Sequence, residues 1–246
     1  MQKDLFLRSA KEFARHAFLK LRAERLFDII RPSTAIKGRM LEASTRRERF
    51  SAIYDRGLWQ HNVQETPGSG EGSSLQSTAL VRAALPAMLN DLGVEALVDL
   101  GCGDFTWMRT LNLSQEYRGV DVVPAVIEEN TLNFANSRRA FFCLDAAEDE
   151  LPDGDAILCR EILFHLSFAD IRSVLLNCAR KKRRYFMATT DSSTLINADI
   201  RSGDFRRLNL NRAPFFFPVP DYAIMDDAIE KGRKIGVWKW DRLPIA

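Results

Sequence analysis

A ten-residue stretch with two glycines, VDLGCGDFTW at 98–107, places the strongest constraint on the fold of this chain. Gly101 and Gly103 lack Cβ atoms where a turn from strand to helix must be tight and where a ligand approaches the backbone. The next apolar run ends in Asp121, about 20 residues further on, where a carboxylate accepts hydrogen bonds from both hydroxyls of a ribose. This arrangement predicts a nucleotide-binding turn at the end of a strand.

Short apolar runs alternate with amphipathic segments from residue 96 onward. The runs typical of buried strands are 96–100, 117–121, 140–145, 155–159 and 184–190. Helical spacing of apolar residues lies between several of them, notably at 124–134 and 168–182. This alternation predicts an α/β fold with a mostly parallel sheet and helices on both faces. Two further runs, at 223–229 and 235–240, predict an antiparallel C-terminal hairpin at the sheet edge.

Composition excludes some classes of protein and partner. The 35 basic and 33 acidic residues give a formal charge of +2, so charge does not call for a nucleic-acid partner. No apolar stretch approaches the roughly 20 residues that span a bilayer. The four cysteines form no C-x-x-C pair, which argues against a disulfide framework or a structural zinc site and predicts a cytoplasmic protein. They are Cys102, Cys143, Cys159 and Cys178.

The N-terminal part is more basic than the rest and has helical spacing. Residues 1–56 carry fourteen Lys or Arg against seven Asp or Glu, and 5–30 place apolar side chains at helical intervals. We therefore predict a helical extension over 1–64 ahead of a catalytic domain over 65–246. A basic amphipathic helix is compatible with packing over that domain, with homodimer contact and with peripheral membrane contact.

The glycine turn fits one known family better than the alternatives. The dinucleotide fingerprint G-x-G-x-x-G lacks its third glycine, because Thr106 stands at that position, and no G-x-x-x-x-G-K-[ST] loop occurs. The stretch resembles motif I of class I methyltransferases that use S-adenosylmethionine (SAM), in which the usual third glycine is Phe105 here. The resemblance implies a Rossmann-like fold with SAM as cofactor. It also implies that Asp99 and the backbone at Gly101 and Gly103 surround the methionine part of SAM.

Other positions of the family carry over in the same way. Asp121 matches the acid that binds the ribose, and Asp145 with Ala146 matches the pair that contacts adenine. The segment AIYDRGLW at 52–59 and the following Gly/Ser-rich loop resemble a subgroup of small bacterial methyltransferases, some of which decorate polysaccharides or nodulation-factor sugars. This implies that the loop closes over the methionine end of SAM; a solvated linker is the alternative. The loop residues concerned are Gly68, Gly70, Ser73 and Ser74.

Two side chains are candidates for the base that a hydroxyl acceptor needs. His165 follows the fourth predicted strand, where this fold opens its active site, and a neutral imidazole suits proton removal. The alternative is a structural histidine packed between Phe164 and Leu166. Asp191, at the end of the fifth predicted strand, is the second candidate.

A metal-dependent alternative also arises from this segment. CREILFHL resembles the C-x-E-x-L-E-H-V stretch of quinone-type O-methyltransferases, in which two Glu and a His hold a divalent ion. Glu161 and His165 match, but Phe164 replaces the second Glu. Two side chains are too few for a dedicated octahedral site, so we predict no metal.

The irregular segment 197–220 is long for a connection, which is typical of a lid or binding loop. It offers Arg206, Asn209 and Phe215 as acceptor-binding residues, a combination suited to a saccharide or to an acidic small molecule. The predicted function is therefore SAM-dependent O-methylation of a sugar hydroxyl on a glycan or a small molecule. A nucleotide-dependent oxidoreductase and a non-catalytic SAM-binding module are the alternatives.

Overall fold

The computed structural model describes residues 45–60, 66–228 and 231–245. The helix predicted at 5–30, with its proposed dimer or membrane contact, lies outside the described residues. In the part of the chain that is described, no helix is long and apolar enough to cross a bilayer.

Seven strands form one sheet in the order β3-β2-β1-β4-β5-β7-β6. Strands β1 to β5 are parallel, and β7 runs antiparallel to both β5 and β6. The mostly parallel sheet with an antiparallel C-terminal hairpin is therefore confirmed. The strands are β1 Ala96–Leu100, β2 Glu116–Asp121, β3 Arg139–Cys143, β4 Ala156–Cys159, β5 Tyr185–Asp191, β6 Tyr222–Met225 and β7 Arg233–Lys239.

Four described α-helices pack around the sheet: α1 Arg46–Asp55, α2 Ala79–Asp91, α3 Pro124–Phe134 and α4 Phe168–Cys178. The first begins at a capping box, in which Thr45 accepts a hydrogen bond from the backbone of Glu48 and the Glu48 carboxylate accepts one from Thr45 N. Ser167 caps α4 through the backbone N–H of Asp170. Caps of this kind satisfy N–H groups that have no partner within the helix.

The core has two layers because neighbouring residues of a strand face opposite sides of the sheet. Val98 and Leu100 of β1 pack in one layer, which includes residues of α1 and α4. Leu97 packs in the other layer, which includes residues of α2. Burial on both faces explains why these strands are continuous apolar runs rather than alternating ones.

The third predicted strand ends earlier than expected. It stops at Cys143, because the chain turns at Asp145, whose backbone oxygen accepts from the N–H groups of Glu148 and Asp149. The last hydrogen bond to β2 is the one that Leu144 N donates to Asp121 O. The turn leaves Asp145 at the carboxyl edge of the sheet. The carboxyl ends of β1, β2 and β4 meet at this same edge, as expected for the binding side of a parallel sheet.

Candidate functional site

An open cavity lies at the carboxyl edge of the sheet, between the ends of β1, β2 and β4, helix α1 and the loop 66–74. It encloses about 960 Å³ of non-protein space, counting its mouth. The site residues predicted from sequence that line it are Ser73, Asp99, Gly101, Asp121, Asp145, Ala146 and His165.

The glycine turn after β1 requires glycine at both predicted positions. Gly101 and Gly103 have φ values of +70° and +57°, in the left-handed region. A Cβ on Gly103 would lie 2.8 Å from the Cβ of Ser69. The turn is further fixed because Asn130 Nδ2 donates to Gly103 O at 2.7 Å. The backbone is therefore held in place at the cavity wall, although Gly103 itself does not line the cavity.

Phe105 occupies the position of the missing third glycine and keeps a left-handed backbone, with φ of +60°. This conformation is unfavourable for a side chain with a Cβ. The ring is buried and packs against Tyr117, Phe134 and Phe141 at centroid distances of 5.0 to 5.4 Å. Aromatic packing thus compensates for the strain, and the turn keeps its shape without the glycine.

Two buried carboxylates line the cavity. Asp121 accepts from Gly103 N and Val123 N, both at 3.1 Å. Asp99 accepts from the Tyr117 hydroxyl at 2.7 Å. Burial raises the pKa of Asp121, and it raises the pKa of Asp99 to about 7, although the Tyr117 hydrogen bond opposes the shift. A ligand that donates hydrogen bonds or carries positive charge stabilises the ionised form of both groups.

Arg46 of α1 closes the end of the cavity predicted for adenine. Its guanidinium forms ion pairs with Asp145 at 2.8 Å and with Asp170 at 2.7 Å. The Asp145 carboxylate also accepts from Ala147 N at 3.0 Å, which fixes the turn that carries Ala146. Helix α1 is thereby fastened across the sheet edge, an interaction that sequence analysis did not identify.

The Gly/Ser-rich loop is packed against the glycine turn, unlike a solvated linker. Ser69 donates from Oγ and N to the Asp104 carboxylate at 2.8 and 3.2 Å. Ser69 and Ser73 line the cavity. Gly70, with φ of +98°, forms the turn between them but does not line the cavity. Gly68 and Ser74 do not line it either.

His165 ends a short 3₁₀ turn, Leu163–His165, after β4 and lines the cavity. Its Nδ1 lies 2.8 Å from Asp204 O. A carbonyl oxygen only accepts, so Nδ1 carries the proton and Nε2 of a neutral ring is the basic nitrogen. The ring lies 4.8 Å from that of Trp59 and 5.8 Å from that of Phe205. The histidine is both held in place and directed to the cavity.

Asp191 does not lie in this cavity, and the structure gives no support to its prediction as a base. Its Oδ1 accepts from Ser193 N at 2.8 Å, and Oδ2 forms an ion pair with Arg207 at 3.6 Å. The carboxylate thus stabilises the start of the segment that follows β5. The end of β5 is further from the cavity because β4 lies between β5 and β1 in the sheet.

The three predicted acceptor-binding residues are buried in the protein rather than directed into the cavity. Arg206 donates to Phe164 O at 3.0 Å, and Asn209 donates to Thr194 O at 2.8 Å. Phe215 packs edge-on against Phe168 at 5.4 Å. These side chains hold the long connection together, because a loop without helix or strand must satisfy its backbone groups by other means. In that connection, Phe205 is the exposed aromatic residue beside His165.

Glu161 takes part in ion pairs. Its Oε1 lies 2.8 Å from Arg233 and 3.5 Å from Arg160. Phe164, at the place of the family's second Glu, is buried among apolar residues. Within 45–60, 66–228 and 231–245, no three His, Cys, Asp or Glu side chains form a group suited to a metal ion.

Several residues that line the cavity are not among those predicted from the sequence: Arg46, Tyr54, Trp59, Trp107 and Arg160. Tyr54 and Trp59 lie in the segment AIYDRGLW, so the subgroup resemblance held a signal for them. No periodicity or motif in the sequence relates Arg46 to this site.

No family model and no curated protein matches the sequence. Solved structures do resemble the fold. Magnesium protoporphyrin IX methyltransferase from Synechocystis PCC 6803 with bound SAM gives a TM-score of 0.53 at 13% identity, over 80% of this chain and 97% of that one. The 1,6-didemethyltoxoflavin-N1-methyltransferase from Burkholderia thailandensis, with its acceptor and S-adenosylhomocysteine (SAH) bound, gives 0.52 at 18% identity, over 78% and 86%.

The N-methyltransferase NodS from Bradyrhizobium japonicum WM9, with SAH bound, gives a lower TM-score of 0.44 at 16% identity, over 58% of this chain and 75% of that one. At these identities the comparisons establish the fold alone. It is the Rossmann-like fold of class I methyltransferases. They do not establish the polysaccharide or nodulation-factor subgroup.

Proposed function

We propose that this protein is a SAM-dependent methyltransferase that acts on a hydroxyl group, most suitably that of a sugar. The observation that carries the proposal is that five of the six family positions line one cavity at the carboxyl ends of three adjacent strands: Asp99, Gly101, Asp121, Asp145 and Ala146. The class I methyltransferase fold and the SAM or SAH bound in two of its structural neighbours support the same conclusion.

The residues of the cavity suit the three parts of the cofactor. Two buried carboxylates, Asp99 and Asp121, accept hydrogen bonds from an ammonium and from ribose hydroxyls. Gly101 keeps the wall beside them free of a side chain. The apolar and backbone surface near Ala146 suits an adenine ring, with Arg46 fastening helix α1 next to it.

The chemistry divides between the cofactor and the chain. SAM supplies a methyl group that is already activated by its sulfonium. The protein aligns the acceptor and excludes water, and His165 removes the hydroxyl proton at Nε2. The Nδ1 hydrogen bond to Asp204 O holds the imidazole in the tautomer that this role requires.

A sugar acceptor is supported by the rings around His165. Trp59 lines the cavity and offers a flat apolar face of the kind that suits a sugar ring, and the exposed ring of Phe205 lies beside His165, outside the cavity lining. Glu161 also lines the cavity and offers a hydrogen-bond acceptor. Arg206, Asn209 and Phe215 do not contribute to acceptor binding, because their side chains are buried and stabilise the connection 197–220.

We also infer a cytoplasmic location, which the four free thiols support.

The experiment that tests the function is incubation of the purified protein with methyl-labelled SAM and a fractionated cell extract. Label is expected in a saccharide-containing fraction, in a bond that resists mild base as an ether does. Label in a protein or nucleic-acid fraction would contradict the acceptor class. Binding of NAD(H) in preference to SAM would instead support the oxidoreductase alternative.

The Asp121→Ala variant is expected to bind SAH more weakly by about 1–3 kcal/mol, because charge-assisted hydrogen bonds to the ribose are lost. Isothermal titration calorimetry measures this directly. Asp153→Ala is a matched control, since that exposed carboxylate pairs with Lys181 far from the cavity. Equal affinities of all three proteins would argue against Asp121 as the ribose ligand.

A further inference from the structure

A buried ionic network borders the cavity next to Asp99. Arg160, directly after β4, donates from Nη1 to Gly72 O at 2.8 Å and from Nη2 to Asp226 Oδ1 at 2.9 Å. Its side chain is 3% exposed, and that of Asp226 is fully buried. Arg233 completes the network through Glu161, at 2.8 Å. The network joins the end of β4, the C-terminal hairpin and the Gly/Ser-rich loop.

The Arg160 guanidinium has more N–H groups than hydrogen-bond acceptors among the described residues. An arginine carries five N–H groups, and the contacts to Gly72 and Asp226 use two of them. Nε is buried and has no hydrogen-bond partner among the described residues. Nε of Arg183, away from the cavity, is equally buried and unpartnered, so the ligand is inferred instead from the remaining N–H groups on Nη1 and Nη2 of a guanidinium that lines the cavity.

The guanidinium stays charged and fixed. Burial lowers its pKa, but the carboxylates of Glu161 and Asp226 outweigh that effect and raise it above the ordinary value. The Trp107 ring lies 5.3 Å from its central carbon and adds a cation–π contact. Asp226 does not line the cavity, whereas Arg160 does. Asp226 therefore positions a cation that the ligand meets.

We propose that Arg160 binds the α-carboxylate at the amino-acid end of SAM, with Asp226 as its positioning residue. The inference rests on the proposed function and names a cofactor ligand outside the family positions. Arg160 lines the same wall as Asp99, which comes from the neighbouring strand. The amino-acid end is a zwitterion, so an arginine fork and a carboxylate side by side match its two charges.

The test compares three ligands by calorimetry on the full chain: SAH, its decarboxylated analogue and 5′-methylthioadenosine, which lacks the whole amino-acid end. Wild-type protein is expected to bind SAH about 30-fold or more tightly than the decarboxylated analogue, because the truncation removes the charge-assisted hydrogen bonds that the Arg160 guanidinium donates to the carboxylate. This comparison needs no variant, so it holds even if substitution of Arg160 prevents folding.

The Arg160→Gln variant is expected to lose that preference, with SAH binding falling to the level of the decarboxylated analogue. Arg183→Gln is the matched control, because Arg183 is also buried and donates to the carbonyls of Pro152 and Gly154 away from the cavity. It should retain the full preference. Equal binding of SAH and the decarboxylated analogue by wild type would overturn the assignment of Arg160 alone. Absence of binding by all three ligands would overturn the proposed function together with it.

Discussion

Replacement of His165 by alanine is expected to lower kcat about 100-fold or more while leaving SAH affinity nearly unchanged. The imidazole lines the cavity, and its bond to Asp204 O leaves Nε2 as the basic nitrogen. Once the acceptor has been identified by labelling, steady-state kinetics gives kcat, and calorimetry gives the SAH affinity.

Two controls separate a base from a structural histidine or a metal ligand. Phe205→Leu keeps an apolar neighbour but removes a ring beside His165, so it should alter KM for the acceptor more than kcat. EDTA should have no effect on wild type. Full turnover by His165→Ala would restore the structural interpretation, and activity that is lost with EDTA and restored by magnesium would contradict the prediction of no metal.

The fold was predictable because periodicity and glycine spacing are local properties of the chain. Strands buried on both faces are continuous apolar runs, and five of them were located to within about two residues of their ends. The order of Asp99, Asp121 and Asp145 along the chain maps directly onto the cavity, since each lies within two residues of the carboxyl end of a parallel strand. At Phe105, the third-glycine position of motif I, the backbone keeps the left-handed conformation although the residue is not glycine.

The site residues that could not be predicted from the sequence are those whose roles depend on contacts between segments distant in sequence. Arg206 and Asn209 have the composition of a binding loop, but their hydrogen bonds go to backbone carbonyls of the protein itself. Arg46 reaches Asp145 across 99 positions of sequence, and no pattern encodes that pair. Asp191 ends its strand as Asp121 does, and only the strand order shows that it lies away from the cavity.

Asp99→Asn is expected to weaken SAH binding about 100-fold or more at pH 8, because removal of one partner of a buried ion pair typically costs ~3–5 kcal/mol. The substitution keeps an oxygen that accepts from the Tyr117 hydroxyl, so the fold should be retained. The same substitution should raise the stability of the folded protein at pH 8, where the buried carboxylate of the wild type is ionised. Since burial raises the pKa of Asp99 from 3.8 to about 7, the folded state holds the proton more tightly than the unfolded state.

Wild type therefore loses stability as pH rises between about 4 and 7, and the Asn variant should lose less over that range. Thermal unfolding at pH 5 and pH 8 measures the difference. A variant with the same pH dependence as wild type would show that Asp99 does not titrate in this range. The comparison also removes the contribution of Asp121, whose pKa burial raises as well and which both proteins retain.

Proton linkage gives the most specific test of Asp99 as the ammonium ligand. A bound ammonium stabilises the ionised carboxylate and lowers its pKa, so SAH binding below pH 7 should release a proton from Asp99. Affinity should accordingly rise with pH up to about 7 and then level off. Calorimetry at pH 6 in buffers of different ionisation enthalpy counts the protons released. Wild type should release more protons than Asp99→Asn at pH 6 and no more at pH 8.5, where the carboxylate is already ionised. Equal release at pH 6 would mean that the ammonium binds elsewhere.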